Sequence, residues 1–205
     1  MFKKKYYNTT FLKSIANIEV EKYEFGSEVA FIGYSNSGKS TVINIVTNQK
    51  KLSRVSKIPG RTQLINVFEV SPEIRLVDLP GYGYSKVPEK VKFNLKNMVF
   101  KYLKIQKCLR GLVLLMDIRN STIKYLDKLV VSLAQSYNIP ILILLSKADK
   151  ISFLKQKKQL NIIRQDKLVM LHNIQVELFS SFKKIGVRIL KNQLDNWMCK
   201  KHYHT

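Results

Sequence analysis

The chain has 205 residues, 45% hydrophobic and 24% charged, an ordinary globular composition for one domain with a substantial core. No apolar run approaches the ~20 residues of a membrane span, and the basic start Met1-Phe2-Lys3-Lys4-Lys5 leads into no signal-peptide core, so no membrane association and a cytoplasmic location are expected. The formal net charge of +22 suits a polyanionic partner such as RNA or a ribosomal surface; lysine supplies 29 of the 36 basic residues, which favours phosphate-tracking contacts over base readout and leaves mutational bias as the competing explanation.

Residues 1–26 read as an extended, partly mobile lead-in. Residues 28–32 are a first strand, and Lys39 to about Asn48 a first helix. Lys50 to Thr62 is polar, broken by Pro59-Gly60, and reads as a loop. Gln63 to Val70 and Ile74 to Asp78 flank Ser71-Pro72-Glu73, which predicts a hairpin and one antiparallel strand at the sheet edge. Leu79 to Pro88 is a loop. Glu89 to about Gln106 is a helix with an apolar stripe. Gly111 to Met116 and Ile139 to Leu145 are apolar runs of the kind found in parallel strands covered on both faces. Ser121 to Tyr137 is helical, Lys150 to Lys167 is basic and loosely amphipathic, Ile174 to Phe179 is a final strand, and a last helix starts near Phe182. Strands alternating with helices predict an α/β doubly wound fold, here a mostly parallel six-stranded sheet with helices on both faces. Cys108 and Cys199 lack metal-ligand spacing and are expected to be free thiols.

Gly33-Tyr34-Ser35-Asn36-Ser37-Gly38-Lys39-Ser40 lies between the first strand and the first helix. Its glycines let the backbone turn tightly and aim N–H groups inward, and the helix N-terminus adds unpaired N–H groups for phosphate oxygens. Lys39 would reach the β and γ phosphates, and Ser40 would ligate Mg²⁺. Asp78-Leu79-Pro80-Gly81 ends a strand; its carboxylate would meet Mg²⁺ through water, and the Gly81 N–H would sense the γ phosphate. In Ser146-Lys147-Ala148-Asp149, Asp149 would accept the N1–H and N2–H₂ of guanine, which adenine cannot match, with the Lys147 stem along the base. Phe179-Ser180-Ser181 would offer a backbone N–H to the guanine oxygen. Thr62, within Gly60-Arg61-Thr62-Gln63-Leu64, is the switch threonine expected to complete the Mg²⁺ shell. The residues assigned to catalysis are Lys39, Thr62 and Gly81, and Ser40 and Thr62 are assigned to the metal; Arg61 suits an ordinary surface role better than a transition-state cation.

In order and spacing, G-Y-S-N-S-G-K-S, P-G-R-T-Q-L-I-N-V-F, D-L-P-G-Y-G-Y, Asp117-Ile118-Arg119 and S-K-A-D resemble the EngB (YihA/YsxC) family of bacterial GTPases over roughly residues 20–199. The resemblance implies a Ras-like P-loop GTPase domain at 25–199, preceded by an extension at 1–24 and followed by a basic tail at 200–205. It also implies GTP and GDP binding with Mg²⁺, a role in assembling the large ribosomal subunit from rRNA and protein, and a need in normal cell division and septation; a monomer is expected. Ser146 stands where most GTPases carry Asn, and Ser181 where Ala is usual. Tyr82 replaces the Gln that orients attacking water in Ras-like enzymes, which implies slow intrinsic hydrolysis. Asn36 matches an asparagine that helps bind K⁺ in related GTPases. Lys92, Lys96 and the 155–158 stretch are the RNA contacts expected. Two other functions are weighed: a nucleotide-regulated protein scaffold at the division site, and a P-loop small-molecule kinase, for which the chain lacks an arginine-rich lid.

Overall fold

Val29, Ala30, Phe31 and Ile32 are all fully buried because they form the middle of β2 (Ser27–Gly33), the central strand of one mixed sheet. The computed structural model describes residues 5–19, 23–53, 64–83, 88–120, 122–172 and 174–198. The other strands are β1 (Thr10–Ile15), β3 (Ile65–Ser71), β4 (Ile74–Asp78), β5 (Leu109–Asp117), β6 (Ile141–Ser146) and β7 (Gln175–Leu178), and the sheet order is β1-β3-β4-β2-β5-β6-β7. β2 pairs in parallel with β4 on one side and β5 on the other, and β5, β6 and β7 continue in parallel.

Alternation along the strands divides the core into two layers. Ala30, Ile32, Leu112, Leu114, Ile143 and Leu145 face one layer, which is closed by α2 (Glu89–Ile105), α3 (Tyr125–Ser136), α4 (Phe153–Arg164) and the single-turn α5 (Lys167–Leu171). Val29, Phe31, Val113, Leu115, Leu142 and Leu144 face the other, which is closed by α1 (Lys39–Thr47) and α6 (Val187–Met198). Gly111 lets α6 sit close, since a Cβ there would overlap the Trp197 ring.

The six expected strands are present, and the sheet adds a seventh. β1, within the expected lead-in, pairs antiparallel with β3. It displaces β3 from the edge, so the hairpin of β3 and β4 is internal and the outermost antiparallel strand is β1. Its residues are mostly exposed, as befits an edge strand, and show none of the alternation that marks a half-buried one. A 3₁₀ turn at Lys5–Asn8 precedes it, and Tyr6 donates a 2.7 Å hydrogen bond to Asp195 on α6. α3 begins at Tyr125 rather than Ser121, and α6 at Val187 rather than near Phe182. Among the described residues no helix is long and apolar enough to cross a membrane. Cys108 is free and buried; Cys199 lies outside the described residues.

Candidate nucleotide site

The strand order reverses around β2, with β3 and β4 to one side and β5 to β7 to the other, and the Gly33–Ser40 loop leaves its carboxyl end. Such a switch point leaves a crevice above the sheet. Gly33 lies close against the Leu115 carbonyl, where a Cβ would collide, and Asn36 and Gly38 turn the loop through left-handed backbone at φ 60° and 100°. Gly38 is the N-cap residue of α1 and brings no capping side chain, leaving the first-turn N–H groups without a side-chain acceptor. Lys39 curls back over the loop, its Nζ donating to the Gly33 and Tyr34 carbonyls at 3.2 and 3.4 Å. Burial lowers its pKa, opposed by the charges of Asp78 and Asp127. The buried hydroxyl oxygens of Ser35 and Ser37 have no hydrogen-bond partner among the described residues.

Asp78, at the end of β4, is buried and accepts 3.0 Å hydrogen bonds from both Ser40 and Ser53. Burial raises its pKa, and Lys39 and the two hydroxyls oppose that rise. A hydroxyl and a carboxylate in contact are hard oxygen donors of the kind Mg²⁺ prefers, so this pair fits the ion expected there. Gly81 lies against the loop: a Cβ on it would come within 2.7 Å of Lys39 Nζ and 3.2 Å of Ser35 Cα. Ser35 N–H donates to the Tyr82 carbonyl at 2.8 Å, so the D-x-x-G segment and the phosphate loop are stitched together. Tyr82 is turned into the core. Its ring meets Tyr34 edge-to-face at 5.0 Å, and its hydroxyl donates a 2.6 Å bond to the buried Asp127 of α3. Burial pushes the Asp127 carboxyl up to about 6, against the Tyr82 hydrogen bond and the charges of Lys124 and Lys39.

The second cluster forms where β5, β6 and β7 end side by side. Ser146 fastens its loop by donating to the Met116 carbonyl at 3.0 Å. Lys147 adopts left-handed backbone at φ 61°, and its Nζ donates to Asp117 at 2.9 Å. Asp117 also receives Arg119 in a two-pronged pairing at 2.9 and 2.7 Å. Burial raises the Asp117 pKa, but the bonds from Arg119 and Lys147 more than offset it and hold the carboxyl well below the usual range. Asp149 accepts a 2.5 Å bond from the Ser180 hydroxyl, which depresses its pKa, and keeps its other oxygen toward Lys150 at 3.6 Å. Ala148 N–H donates to the Phe179 carbonyl. The Phe179 and Ser180 N–H groups are committed to Leu145 and Ile185, so of the three residues expected to meet a base oxygen, Ser181 is the one left to do so.

The structure thus brings together Gly33 to Ser40, Asp78 to Gly81, Ser146 to Asp149 and Phe179 to Ser181 along the carboxyl ends of the strands. Leu64 is exposed just before β3. Gly60, Arg61, Thr62 and Gln63 lie outside the described residues. Asp117 and Arg119 belong to a motif that carries the family resemblance but have no role assigned from the sequence, and Ser53 and Asp127 are not marked there at all. Asp117 carried a usable signal, since it ends an apolar strand beside both marked loops.

The family model described as 50S ribosome-binding GTPase matches residues 28–147. The probable GTP-binding protein EngB of Buchnera aphidicola subsp. Baizongia pistaciae is 58% identical over 96% of this chain and 86% of its own length. That of Mannheimia succiniciproducens is 48% identical over 96% and 95%. Among solved structures, a crystal structure of a probable GTP-binding protein engB superposes with TM-score 0.67 at 22% identity, covering 85% of this chain and all of the other. A single-residue variant of Aquifex aeolicus Era bound to GDP.AlF4- does so with TM-score 0.64 at 20% identity, covering 85% and 57%. At those identities the two structures speak for the fold.

Proposed function

The chain belongs to the EngB family of GTP-binding proteins, and we propose that it is a GTP-hydrolysing switch that docks on the large ribosomal subunit and acts in its assembly. The observation that carries the switch is the seating of Gly81 against Lys39 and Ser35, which makes the D-x-x-G segment and the phosphate loop one mechanical unit. A phosphate arriving at Lys39 would draw its Nζ off the Gly33 and Tyr34 carbonyls, next to Gly81.

In this reading Lys39 leaves its two carbonyls for the β and γ phosphates, and the α1 N–H groups take phosphate oxygens. Ser40 and Thr62 would hold Mg²⁺, with Asp78 meeting it through water, and the ion would supply charge neutralisation on the phosphates. Asp149 accepts the two guanine donors, with its carboxylate aimed by Ser180, and Lys147 lies along the base, aimed by Asp117. Gly81 and Thr62 report the γ phosphate. Tyr82, engaged with Asp127, is not available to orient water, so hydrolysis is slow until a partner assists.

The family description names the large subunit as partner, and the +22 charge suits rRNA. Lys92, Lys96 and the lysines at 155–158 are the contacts we assign to it. A cytoplasmic monomer needed for normal cell division and septation completes the proposal. Steady-state GTP hydrolysis with and without purified large subunits tests it: subunits should raise the rate, and an unchanged rate counts against the docking. Potassium is the alternative activator, resting on Asn36; a rate unchanged when sodium replaces potassium excludes it.

A further inference from the structure

Asp78 is held at one oxygen from two places in the chain. Ser40, in the first turn of α1, and Ser53, beyond the end of that helix, each donate a 3.0 Å hydrogen bond to Oδ2. Among the described residues no hydrogen bond reaches Oδ1. Ser53 is buried, two residues after the exposed Lys51, and its backbone is what fixes it there. Asn44 of α1 donates from Nδ2 to the Ser53 carbonyl and accepts the Ser53 N–H at Oδ1, both at 2.8 Å. Asparagine is a weak helix former, and its burial within α1 is matched by these two bonds. An amide carries one donor and one acceptor group and so answers both backbone groups of Ser53, which neither an apolar side chain nor a carboxylate can do. α1 therefore places both donors on Asp78, Ser40 directly and Ser53 through Asn44.

A carboxylate held by one hydrogen bond can swing about it. Two donors on the same oxygen, from separate stretches of chain, fix its plane, and both bonds are strengthened by the charge they meet. Resting on the reading of Ser40 and Asp78 as the Mg²⁺ pair, we propose that Ser53, held by Asn44, is a positioning residue for metal-assisted nucleotide binding. Its hydroxyl keeps Asp78 turned so that Oδ1 is left for the shell of the ion. Ser53 itself meets neither nucleotide nor metal. Its loss therefore weakens what Mg²⁺ adds to nucleotide affinity and leaves the affinity without metal as it was. A hydroxyl that served the fold alone would lower the melting temperature and leave the response to Mg²⁺ untouched.

The affinity of the full chain for a fluorescent, non-hydrolysable GTP analogue is followed from excess chelator to millimolar Mg²⁺. The parent, Ser53→Ala, Asn44→Ala and the double variant are compared, with melting temperatures alongside. In Ser53→Ala the Mg²⁺ concentration at the midpoint should rise about tenfold or more, while affinity in chelator matches the parent's. Asn44→Ala should shift the midpoint in the same direction and add nothing in the Ser53→Ala background, because it acts through that hydroxyl. Ser53→Ala removes one oxygen atom, so it decides the matter alone if Asn44→Ala does not fold. With a parent that responds to Mg²⁺, an unchanged midpoint in Ser53→Ala overturns the proposal, as do additive shifts in the double variant. A lowered midpoint also overturns it, and shows Ser53 competing with the ion for Asp78. A parent indifferent to Mg²⁺ overturns the reading of Ser40 and Asp78, and the proposal with it.

Discussion

Lys147 donates a 2.9 Å hydrogen bond to Asp117, thirty residues earlier in the chain, and so holds the S-K-A-D loop to the end of β5. The same carboxylate, 16% exposed, takes Arg119, which is 56% exposed. Asp117 thus aims Lys147 and also contributes stability, since its carboxyl is held well below the usual range by these two partners. Asp117→Ala should weaken GDP and GTP alike by about tenfold, because the base contact is common to both, and should lower the melting temperature at pH 7. Displacement of a fluorescent nucleotide measures the first, and unaltered affinity would remove Asp117 from the site.

Asp149 presents a carboxylate with its pKa depressed by the Ser180 hydroxyl, ready to accept two donors. Asp149→Asn offers one donor and one acceptor instead. Guanine affinity should fall about 100-fold, and xanthine, whose 2-oxo group can accept, should regain most of it. A variant that binds GTP and XTP as the parent does would mean that base selection lies elsewhere.

Ser40 and Asp78 form the pair that fits Mg²⁺. Ser40→Ala should cost about tenfold or more in GTP affinity when Mg²⁺ is present. Chelating the metal should cost the parent a similar factor and the variant little. If the two proteins respond equally to chelation, Ser40 does not hold the ion.

Burial pushes the Asp127 carboxyl up to about 6 in the folded chain, against about 3.9 for a free carboxyl, the reverse of the common salt-bridged case. The native state thus holds a proton that the unfolded chain has lost, and stability contributed by this group falls as pH rises from about 4 to about 6. Above that window the buried charge costs up to about 3 kcal/mol. Asp127→Asn keeps an acceptor for Tyr82 and sheds the charge. It should melt several degrees above the parent at pH 7.5, with the difference closing near pH 4. A difference independent of pH would show that Asp127 does not carry this titration.

The nucleotide site was legible because its parts are local. A phosphate loop, a D-x-x-G and an S-K-A-D each declare themselves within a few residues, and the apolar runs before them place all three at strand ends. What stayed hidden depends on distant partners. Ser53 sits in a polar loop and gains meaning from Asp78, and Asp127 looks like a surface residue of a helix until Tyr82 reaches it. Glu28 opens a strand as an ordinary charge, and its burial is explained by Arg75, Tyr102 and Gln106, far along the chain. β1 escaped because an exposed edge strand needs no apolar alternation; its pairing with β3 holds it in place.

Co-sedimentation with purified large ribosomal subunits at physiological salt, in a non-hydrolysable GTP analogue, in GDP and without nucleotide, tests the switch most directly. Preferential pelleting with the GTP analogue is the result predicted, and it makes the +22 charge part of a nucleotide-controlled interface. Equal pelleting in all three states, lost as salt rises, would contradict it and reduce the association to lysine adhering to RNA.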